Sequence, residues 1–318
     1  MSSITFHDIV GARRVVSRYL KPTPLIRYPE LSDLLGFNAY IKHENHQPTG
    51  SFKVRGGLNF MSRLPEPQKR GGVITVTSGN NGQSIAYAAR QFGVHATVVV
   101  PNGNNPEKNS AMSALGAELV EGGADFDEAR ELCERLRVKR EFYYVDPLNE
   151  PALFHGVGTY SLEIFEQLSD VSTIIVPIGG GSGACGAITV ARAINPDVKV
   201  IGVQAENAPA VYLSWKAGKK IETDSCQTVA DGLATRIPSD FPFSILKDEI
   251  NQIVLVSEEE IRDGIWMVLR YTHNLVEAAA AAALAAGLKL KSGLANENVV
   301  MVMSGANLDT ETLKSVLR

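Results

Sequence analysis

One lysine in this chain stands in a setting that can make its amine a nucleophile. Lys53 lies within residues 47–57, QPTGSFKVRGG, where turn-forming residues give way to a predicted helix. An ordinary lysine amine has a pKa of about 10.4, so at neutral pH it is protonated and does not attack a carbonyl. An apolar ring and a second cation lower that pKa, and Phe52 and Arg55 are the candidates for these roles. The segment predicts an imine-forming lysine, with a solvated Lys/Arg helix face as the alternative.

Two glycine-rich loops each follow an apolar strand pattern and precede a helical one. They are Ser78-Gly79-Asn80-Asn81-Gly82-Gln83 and Gly179-Gly180-Gly181-Ser182-Gly183. Glycine lets the backbone approach an anion closely, and the free amides and the dipole of a helix N-terminus stabilise its charge. Phosphate and carboxylate groups are the ligands that such loops are expected to bind. The alternative is a pair of tight strand-to-helix turns that need glycine only for their backbone conformation.

The second loop also supports a rival function. Residues 181–186, GSGACG, match G-x-G-x-x-G after a strand and before a helix, which is the context of a dinucleotide site. Glu206 follows the next predicted strand, about where that site needs an acid. A nicotinamide-dependent dehydrogenase therefore stays open. A serine hydrolase is discounted, because Ala184 occupies the last glycine position of G-x-S-x-G.

The elements that must position these loops alternate along the chain in two series. The predicted strands are residues 73–77, 96–100, 118–120 and 142–145, then 173–178, 199–203, 253–256 and 299–303. Continuous apolar strands between helices predict mainly parallel sheets covered on both faces. The fold class is therefore α/β, with two doubly wound domains and a cleft between them. Residues 1–68 and 150–318 are assigned to the large domain, and residues 69–149 to a small, mobile one.

Local patterns refine the helices. Two helices are expected to begin near Ile85 and Ala184, where apolar periodicity starts, and Ser257 and Glu260 have the spacing of a capping box. The alanine-rich residues 278–286 predict a buried helix packed closely against a sheet.

Composition excludes several classes of protein. The chain of 318 residues carries a net charge of −4 without a basic tract, so no nucleic-acid partner is expected. No apolar run reaches the ~20 residues that span a bilayer, and the N-terminal residues do not read as a signal peptide. Cys133, Cys185 and Cys226 lie far apart without CxxC spacing, which favours a reducing cytoplasm.

Five motifs occur together in a telling order. They are PTGSFKVRGG (48–57), SGNNGQ (78–83), GGGSG (179–183), ADGLA (230–234) and SGAN (304–307). With them the chain resembles the serine/threonine dehydratase and serine racemase family, from Pro22 to Ser304. That family has the tryptophan-synthase-β-like fold of fold type II pyridoxal phosphate enzymes. The resemblance outweighs the dinucleotide interpretation, which leaves Lys53, Asn80 and Ser304 without roles.

The resemblance implies a role for each motif residue. Lys53 would form the Schiff base with the cofactor aldehyde and act as the acid–base group, with Phe52 beside the ring. The other cofactor contacts would be Asn80 at the phenolic oxygen, Gly179, Gly180, Gly181, Ser182 and Gly183 around the phosphate, Ser304 at the pyridine nitrogen, and Gly232 and Glu277 in the pocket. The amides of Ser78, Gly79, Asn80 and Asn81 would hold the substrate carboxylate. Without the resemblance, Ser304 reads as a turn residue and Glu277 as a first-turn helix carboxylate.

The implied activity is that of a lyase. Such an enzyme is a pyridoxal phosphate-dependent dehydratase (ammonia-lyase) that converts L-threonine, L-serine or a related β-hydroxy amino acid to a 2-oxo acid and ammonia. Arg55, in the Lys-x-Arg-Gly form, favours this branch. The resemblance also implies a homodimer.

Three departures from the family pattern stand out. Ser78 occupies a position where many threonine dehydratases have alanine and serine racemases have serine, which keeps an amino-acid racemase open as the alternative. Asn81 replaces the usual histidine and can reshape the pocket for the substrate side chain. Gln204 and Ala210 fall where acidic cation ligands are expected, so no dedicated magnesium or calcium site is predicted, although Glu206 can substitute.

Overall fold

The computed structural model describes residues 4–124 and 126–317. The strands are β1 (Leu25–Arg27), β2 (Asn38–Lys42), β3 (Val73–Val76), β4 (Ala96–Val100), β5 (Glu118–Glu121), β6 (Tyr143–Tyr144), β7 (Thr173–Pro177), β8 (Lys199–Ala205), β9 (Gln252–Val256) and β10 (Asn298–Val302). The helices are α1 (Phe6–Val16), α2 (Pro29–Leu35), α3 (Lys53–Arg63), α4 (Glu66–Gly71), α5 (Asn80–Phe92), α6 (Pro106–Ala114), α7 (Phe126–Arg140), α8 (Pro151–Gln167), α9 (Ser182–Ile194), α10 (Ala210–Ala217), α11 (Asp240–Glu249), α12 (Glu258–Thr272), α13 (Ala278–Leu290) and α14 (Thr310–Val316). Short 3-10 helices cover Glu44–His46, Asp231–Leu233 and Lys291–Gly293.

The strands form two separate sheets. The larger sheet has six strands in the order β1-β2-β10-β7-β8-β9, and the smaller has four in the order β5-β4-β3-β6. The β1–β2 pair is antiparallel and the other described pairs are parallel. The predicted α/β class with two mainly parallel sheets is therefore confirmed. The residue boundaries proposed for the two domains stay a prediction.

Each sheet is buried on both faces because alternate strand residues point in opposite directions. In β7, Ile174 and Val176 join the apolar cluster that contains residues of α8 and α9. Ile175 between them joins a second cluster, which contains the alanines of α13. All of residues 278–286 are buried, as the alanine pattern predicts. Small side chains let this helix approach the sheet closely.

The smaller sheet repeats this arrangement. Val98 and Val100 of β4 pack with Met112 of α6. Val99, on the opposite face, packs with Ala129 and Cys133 of α7. Helices on both faces leave the carboxyl ends of the parallel strands as the open edge, where loops can carry functional groups.

Two predicted helix starts are corrected by the structure. α5 begins at Asn80 and α9 at Ser182, directly after the glycines of the two loops. Their first turns are rich in Gly, Asn and Ser, which carry no apolar periodicity, so the sequence pattern detects each helix late. The capping box of Ser257 and Glu260 at α12 is confirmed. Within the described residues, no helix is long and apolar enough to span a bilayer.

Candidate active site

The lysine singled out in the sequence begins helix α3, between the two sheets. Its preceding residue, Phe52, donates its backbone N–H to the Ser304 carbonyl oxygen at 3.0 Å, which ties the helix start to the end of β10. The Lys53 Nζ lies 5.6 Å from the centroid of the Phe52 ring and donates to the Ser182 Oγ at 2.8 Å. Four of the predicted site residues therefore meet, although they are spread over more than 250 residues of sequence.

Burial decides the protonation of this lysine. Desolvation lowers the pKa of the Lys53 amine from 10.5 to about 8, and the Glu277 carboxylate opposes that shift. The expectation that Arg55 supplies the second cation is wrong. Although it is two residues away, Arg55 points into a separate cluster, because its guanidinium is claimed by carboxylates on other elements.

That cluster, formed by Lys42, Glu44, Arg55 and Glu163, is called the buried charge cluster below. The Arg55 Nε lies 2.7 Å from the Glu44 Oε2, and its Nη1 lies 2.8 Å from the Glu163 Oε1. The Lys42 Nζ pairs with the other Glu163 oxygen at 2.8 Å. All four side chains are at most 2% exposed. The cluster joins β2 and α8 to the first turn of α3, and thus fixes the backbone that carries Lys53.

A second contact holds the same helix turn from the side of the smaller sheet. The Ser84 hydroxyl in α5 donates to the Lys53 carbonyl oxygen at 2.5 Å and accepts from the Gly57 N–H at 3.2 Å. A Cβ built on Gly57 would lie 2.5 Å from the Ser84 Oγ, so a side chain at position 57 would separate the two helices.

The loop of residues 179–183 forms a cradle at the N-terminus of α9. Gly181, the N-cap, has φ +83°, a left-handed conformation that favours glycine. A Cβ on Gly179 would overlap the Gly232 carbonyl oxygen, and one on Gly183 would lie 2.8 Å from the Phe52 ring. Glycine is therefore required for the loop to fit between these neighbours. The Ser182 hydroxyl and the helix amides make the cradle suited to an anion.

The other predicted anion loop starts α5. Gly79 is the N-cap, and its N–H donates to the Thr77 Oγ1 at 3.1 Å. Ser78 is exposed. The Asn81 side chain donates to the Thr75 Oγ1 on β3 at 3.3 Å. The loop places the exposed Ser78 beside the N-terminus of a helix. The positive end of the helix dipole stabilises a bound carboxylate.

Asn80 and Glu277 meet across the two sheets. The Asn80 Nδ2 donates to both Glu277 oxygens, at 2.8 and 2.9 Å, while its Oδ1 accepts from the Asn307 Nδ2 at 2.7 Å. Burial raises the pKa of Glu277 above its ordinary value, and donation from Asn80 opposes this. Asn307 lies in the SGAN motif, but nothing in the sequence alone predicts its role. By donating to Oδ1 it fixes which end of the Asn80 amide faces Glu277.

The remaining predicted residues surround Glu277. A Cβ on Gly232 would lie 4.0 Å from the Glu277 Oε1 and one on Gly305 only 2.5 Å. Ser304 is 4% exposed at the strand end next to Gly305. Lys108 and Asp231 line the same small cavity as Glu277. Neither Lys108 nor Tyr160 is part of a motif, and Asp231 belongs to the ADGLA motif but had no predicted role. The Tyr160 hydroxyl donates to the Gly183 carbonyl oxygen at 3.0 Å and so supports the cradle.

Residues at the expected cation position serve other purposes. The Gln204 side chain bonds to the Ile178 carbonyl oxygen and the Tyr212 N–H, and Glu206 lies 3.8 Å from the Lys289 Nζ. No group of three or more His, Cys, Asp or Glu side chains that could hold a metal occurs in the described part of the chain.

Comparison with known proteins relates this chain to a family of enzymes. Residues 16–305 match the family described as pyridoxal-phosphate dependent enzyme. The chain is 37% identical over 314 residues to an L-threonine ammonia-lyase of Thermotoga maritima, with 99% of this chain and 78% of that protein covered. An L-threonine ammonia-lyase of Geobacter sulfurreducens is 39% identical over 298 residues, covering 94% and 74% of the two proteins.

Solved structures agree with the sequence relatives. The processed form of threonine deaminase isoform 2 from Solanum lycopersicum superposes with a TM-score of 0.93 at 33% identity, covering 99% of this chain and 94% of that one. Maize serine racemase superposes with a TM-score of 0.94 at 28% identity, covering 99% and 97%. The resemblance inferred from the five motifs is confirmed: this chain belongs to the pyridoxal-phosphate dependent enzyme family.

Proposed function

We propose that this protein is a pyridoxal phosphate-dependent ammonia-lyase that converts L-threonine, L-serine or a related β-hydroxy amino acid to a 2-oxo acid and ammonia. The observation that carries the proposal is the Lys53 amine, with its pKa lowered to about 8, against the Phe52 ring and the Ser182 hydroxyl. Its similarity to the two bacterial L-threonine ammonia-lyases supports this choice of reaction.

The residues present fit the cofactor. The cradle at the start of α9 carries Ser182 among four glycines, and a Cβ on any of these glycines would come within 2.9 Å of a neighbouring atom. Backbone without side chains at a helix N-terminus lets its amides approach a phosphate closely. The groups proposed to hold the cofactor are Lys53, Phe52, Gly179, Gly180, Gly181, Ser182, Gly183, Gly232, Asn80, Glu277 and Ser304. When bound, the cofactor supplies an electron-withdrawing ring that makes the substrate Cα–H acidic.

The chain's own residues divide the remaining work. The start of α5, at Ser78, Gly79, Asn80 and Asn81, is proposed to hold the substrate carboxylate. The neutral Lys53 amine removes the Cα proton, and a pKa near 8 keeps part of it neutral at physiological pH. The β-hydroxyl group then leaves as water, and one water is taken up when ammonia is released, so the reaction balances.

Purified holoenzyme should release ammonia and 2-oxobutyrate in equal amounts from L-threonine, and pyruvate from L-serine. A panel that includes 3-hydroxyaspartate and phenylserine will identify the preferred side chain. Chiral analysis of serine recovered from deuterated water provides the control. Accumulation of D-serine faster than pyruvate, or ammonia release from no β-hydroxy amino acid, would contradict the proposal.

Racemisation is the second candidate, and one observation favours it. The Ser78 hydroxyl is exposed at the carboxylate loop, where a hydroxyl can return a proton to the opposite face of Cα. The similarity to maize serine racemase agrees with this candidate. The deuterium experiment above decides between the two reactions.

Changing Glu277 to Gln should lower the pKa of the Lys53 amine. The Glu277 carboxylate raises the amine pKa against the effect of burial, so its removal should move that pKa below about 8. Because only the neutral amine reacts with an aldehyde, the rate at which the apo-protein takes up pyridoxal phosphate should reach its plateau at lower pH. The rate is measured by the rise in visible absorbance. Glu107→Gln, at an exposed position, is the control; an unchanged or raised midpoint in Glu277→Gln would refute the assignment.

We further propose that the enzyme is a cytoplasmic homodimer. The free thiols of Cys133, Cys185 and Cys226 suit a reducing compartment. Exposed apolar side chains on the larger-sheet portion, among them Ile26, Trp266 and Leu275, can contribute to a subunit contact. Light scattering of the holoenzyme tests the assembly.

A further inference from the structure

A lysine outside the five motifs spans the cleft between the two sheets. Lys108 lies in the first turn of α6, where the Asn105 side chain accepts from its backbone N–H at 3.2 Å. Its ammonium forms an ion pair with Asp231, in the 3-10 helix that also carries Gly232. The Lys108 side chain is 11% exposed, whereas that of Asp231 is 55% exposed. The Lys108 ammonium is thus mostly shielded from water, while Asp231 remains accessible to it. A second anion can therefore compete with Asp231 for the lysine.

The same side chain lies against the proposed carboxylate loop. A Cβ built on Gly79 would lie 3.6 Å from the Lys108 Cδ and 3.9 Å from its Nζ. These separations are those of ordinary van der Waals contact, so the Lys108 side chain packs directly beside Gly79 of this loop. An anion bound at the start of α5 would have the Lys108 ammonium close beside it.

Acidic side chains around the cleft would repel a substrate carboxylate unless a cation offsets their charge. A small polar cavity here is lined by Asp231, Glu277 and Asp309, and Lys108 is the one basic side chain among the described residues that line it. A substrate carboxylate that enters beside several acids meets like charge at short range. Burial raises the pKa of Glu277, and the Lys108 ammonium opposes that rise. Burial also acts to raise the pKa of Asp309, but the hydrogen bonds from Thr312 and, to a smaller extent, the Lys108 ammonium hold it below its ordinary value.

We propose that Lys108 is a substrate-binding residue: its ammonium pairs with Asp231 before substrate binds, and it binds the α-carboxylate of the amino acid once the substrate reaches the 78–81 loop. This inference rests on the proposed function, because it takes that loop as the carboxylate site. Asp231 then competes with the substrate for the lysine. Substrate binding thus replaces an ion pair between the two sheets with a bridge through the substrate.

The test compares ligands with and without a carboxylate. Holoenzyme is titrated with L-alanine and with its amino alcohol, L-alaninol, and the change in cofactor absorbance gives each dissociation constant. Lys108→Met should weaken L-alanine binding on the order of tenfold or more, as expected for loss of a charge-assisted contact, and leave L-alaninol binding unchanged. Lys108→Arg should retain most of the L-alanine affinity. With L-threonine, Lys108→Met should raise KM more than it lowers kcat.

Variants of Asp231 and of Glu107, the residue before Lys108, complete the experiment. Asp231→Asn should tighten L-alanine binding, and the double variant with Lys108→Met should behave as Lys108→Met alone. Glu107→Gln is the matched control, because Glu107 also reaches across the cleft, accepting from the Thr310 N–H at 3.3 Å, and it should change neither constant. Equal weakening of both ligands by Lys108→Met would show a merely structural ion pair and overturn the proposal, as would unchanged L-alanine binding.

The outcome is separable from that of the proposed function. The titration needs only bound cofactor and a primary amine, so it reports on Lys108 whichever reaction the enzyme performs. If the wild-type enzyme releases ammonia from L-threonine while the two ligands respond alike, the role of Lys108 is wrong and the proposed function stands.

Discussion

Replacing Lys53 with methionine is expected to abolish the reaction. The variant loses both the amine that joins the cofactor and the base that removes the Cα proton, so ammonia release from L-threonine should fall by a factor on the order of 10³ or more. Borohydride reduction of the wild-type holoenzyme, followed by peptide mass analysis, should place the pyridoxyl adduct on Lys53. Lys69→Met, which removes a lysine paired with Glu66 at the surface, should leave the rate unchanged. An adduct on a different lysine would refute the assignment.

The same substitution has a consequence for stability that depends on pH. The Lys53 pKa is about 8 in the folded protein and 10.5 when unperturbed, so between these values the unfolded chain binds more protons than the folded one. The stability of wild-type apo-protein should therefore gain from Lys53 as pH rises through this window, and that gain is lost as pH falls to 8. Lys53→Met has no such dependence. The difference in melting temperature, variant minus wild type, should decrease from pH 8 to 10.5.

Changing Arg55 to methionine is expected to cause a large loss of stability. It leaves the carboxylates of Glu44 and Glu163 buried without the guanidinium that they share, and breaking such a buried pair costs about 3–5 kcal/mol. Chemical denaturation of the apo-protein should show this as a lower midpoint. Arg140→Met is the matched control, because Arg140 pairs with Glu118 where both side chains are over a third exposed, and such a pair contributes roughly 0–1 kcal/mol.

A compensating variant makes this prediction sharper. If the cost comes from unpaired buried charge, Glu44→Gln and Glu163→Gln should restore part of the stability lost in Arg55→Met. Similar midpoints for Arg55→Met and Arg140→Met would contradict the role of the buried charge cluster. The Arg55 variant should also take up pyridoxal phosphate more slowly, since the cluster fixes the helix turn that carries Lys53.

The parts of the site predicted from sequence are those encoded within short segments. Each of these segments, at Lys53, at 78–83 and at 179–183, combines a reactive or anion-binding group with the turn residues that present it. Their chemistry can therefore be predicted from a few neighbouring residues. The eight strands β3 to β10 were predicted for a similar reason, because continuous β-branched runs between helices leave few alternatives. The short strands β1 and β2 were not predicted, since Arg27, Asn38 and Lys42 interrupt their apolar pattern. The first turns of α5 and α9 were missed because polar residues occupy them.

The parts that sequence reasoning missed depend on partners far away in the chain. Arg55 pairs with Glu163, which is 108 residues away, and Lys108 with Asp231, 123 residues away. Proximity in sequence suggested that Arg55 acts on Lys53, but helix geometry directs the two side chains to different surroundings. The role of Asn307 requires knowledge of where Asn80 lies, which no local pattern provides.

The contact of Ser84 with the first turns of α3 constrains how this enzyme can be recombined with its relatives. Residues 69–149 contain a whole sheet and invite exchange as a cassette to alter substrate range. Yet the Ser84 hydroxyl bonds to the Lys53 carbonyl and the Gly57 amide, so part of the lysine's support would travel with the cassette. A productive chimera must keep a hydroxyl at position 84 opposite glycine at position 57, whichever parent supplies the insert.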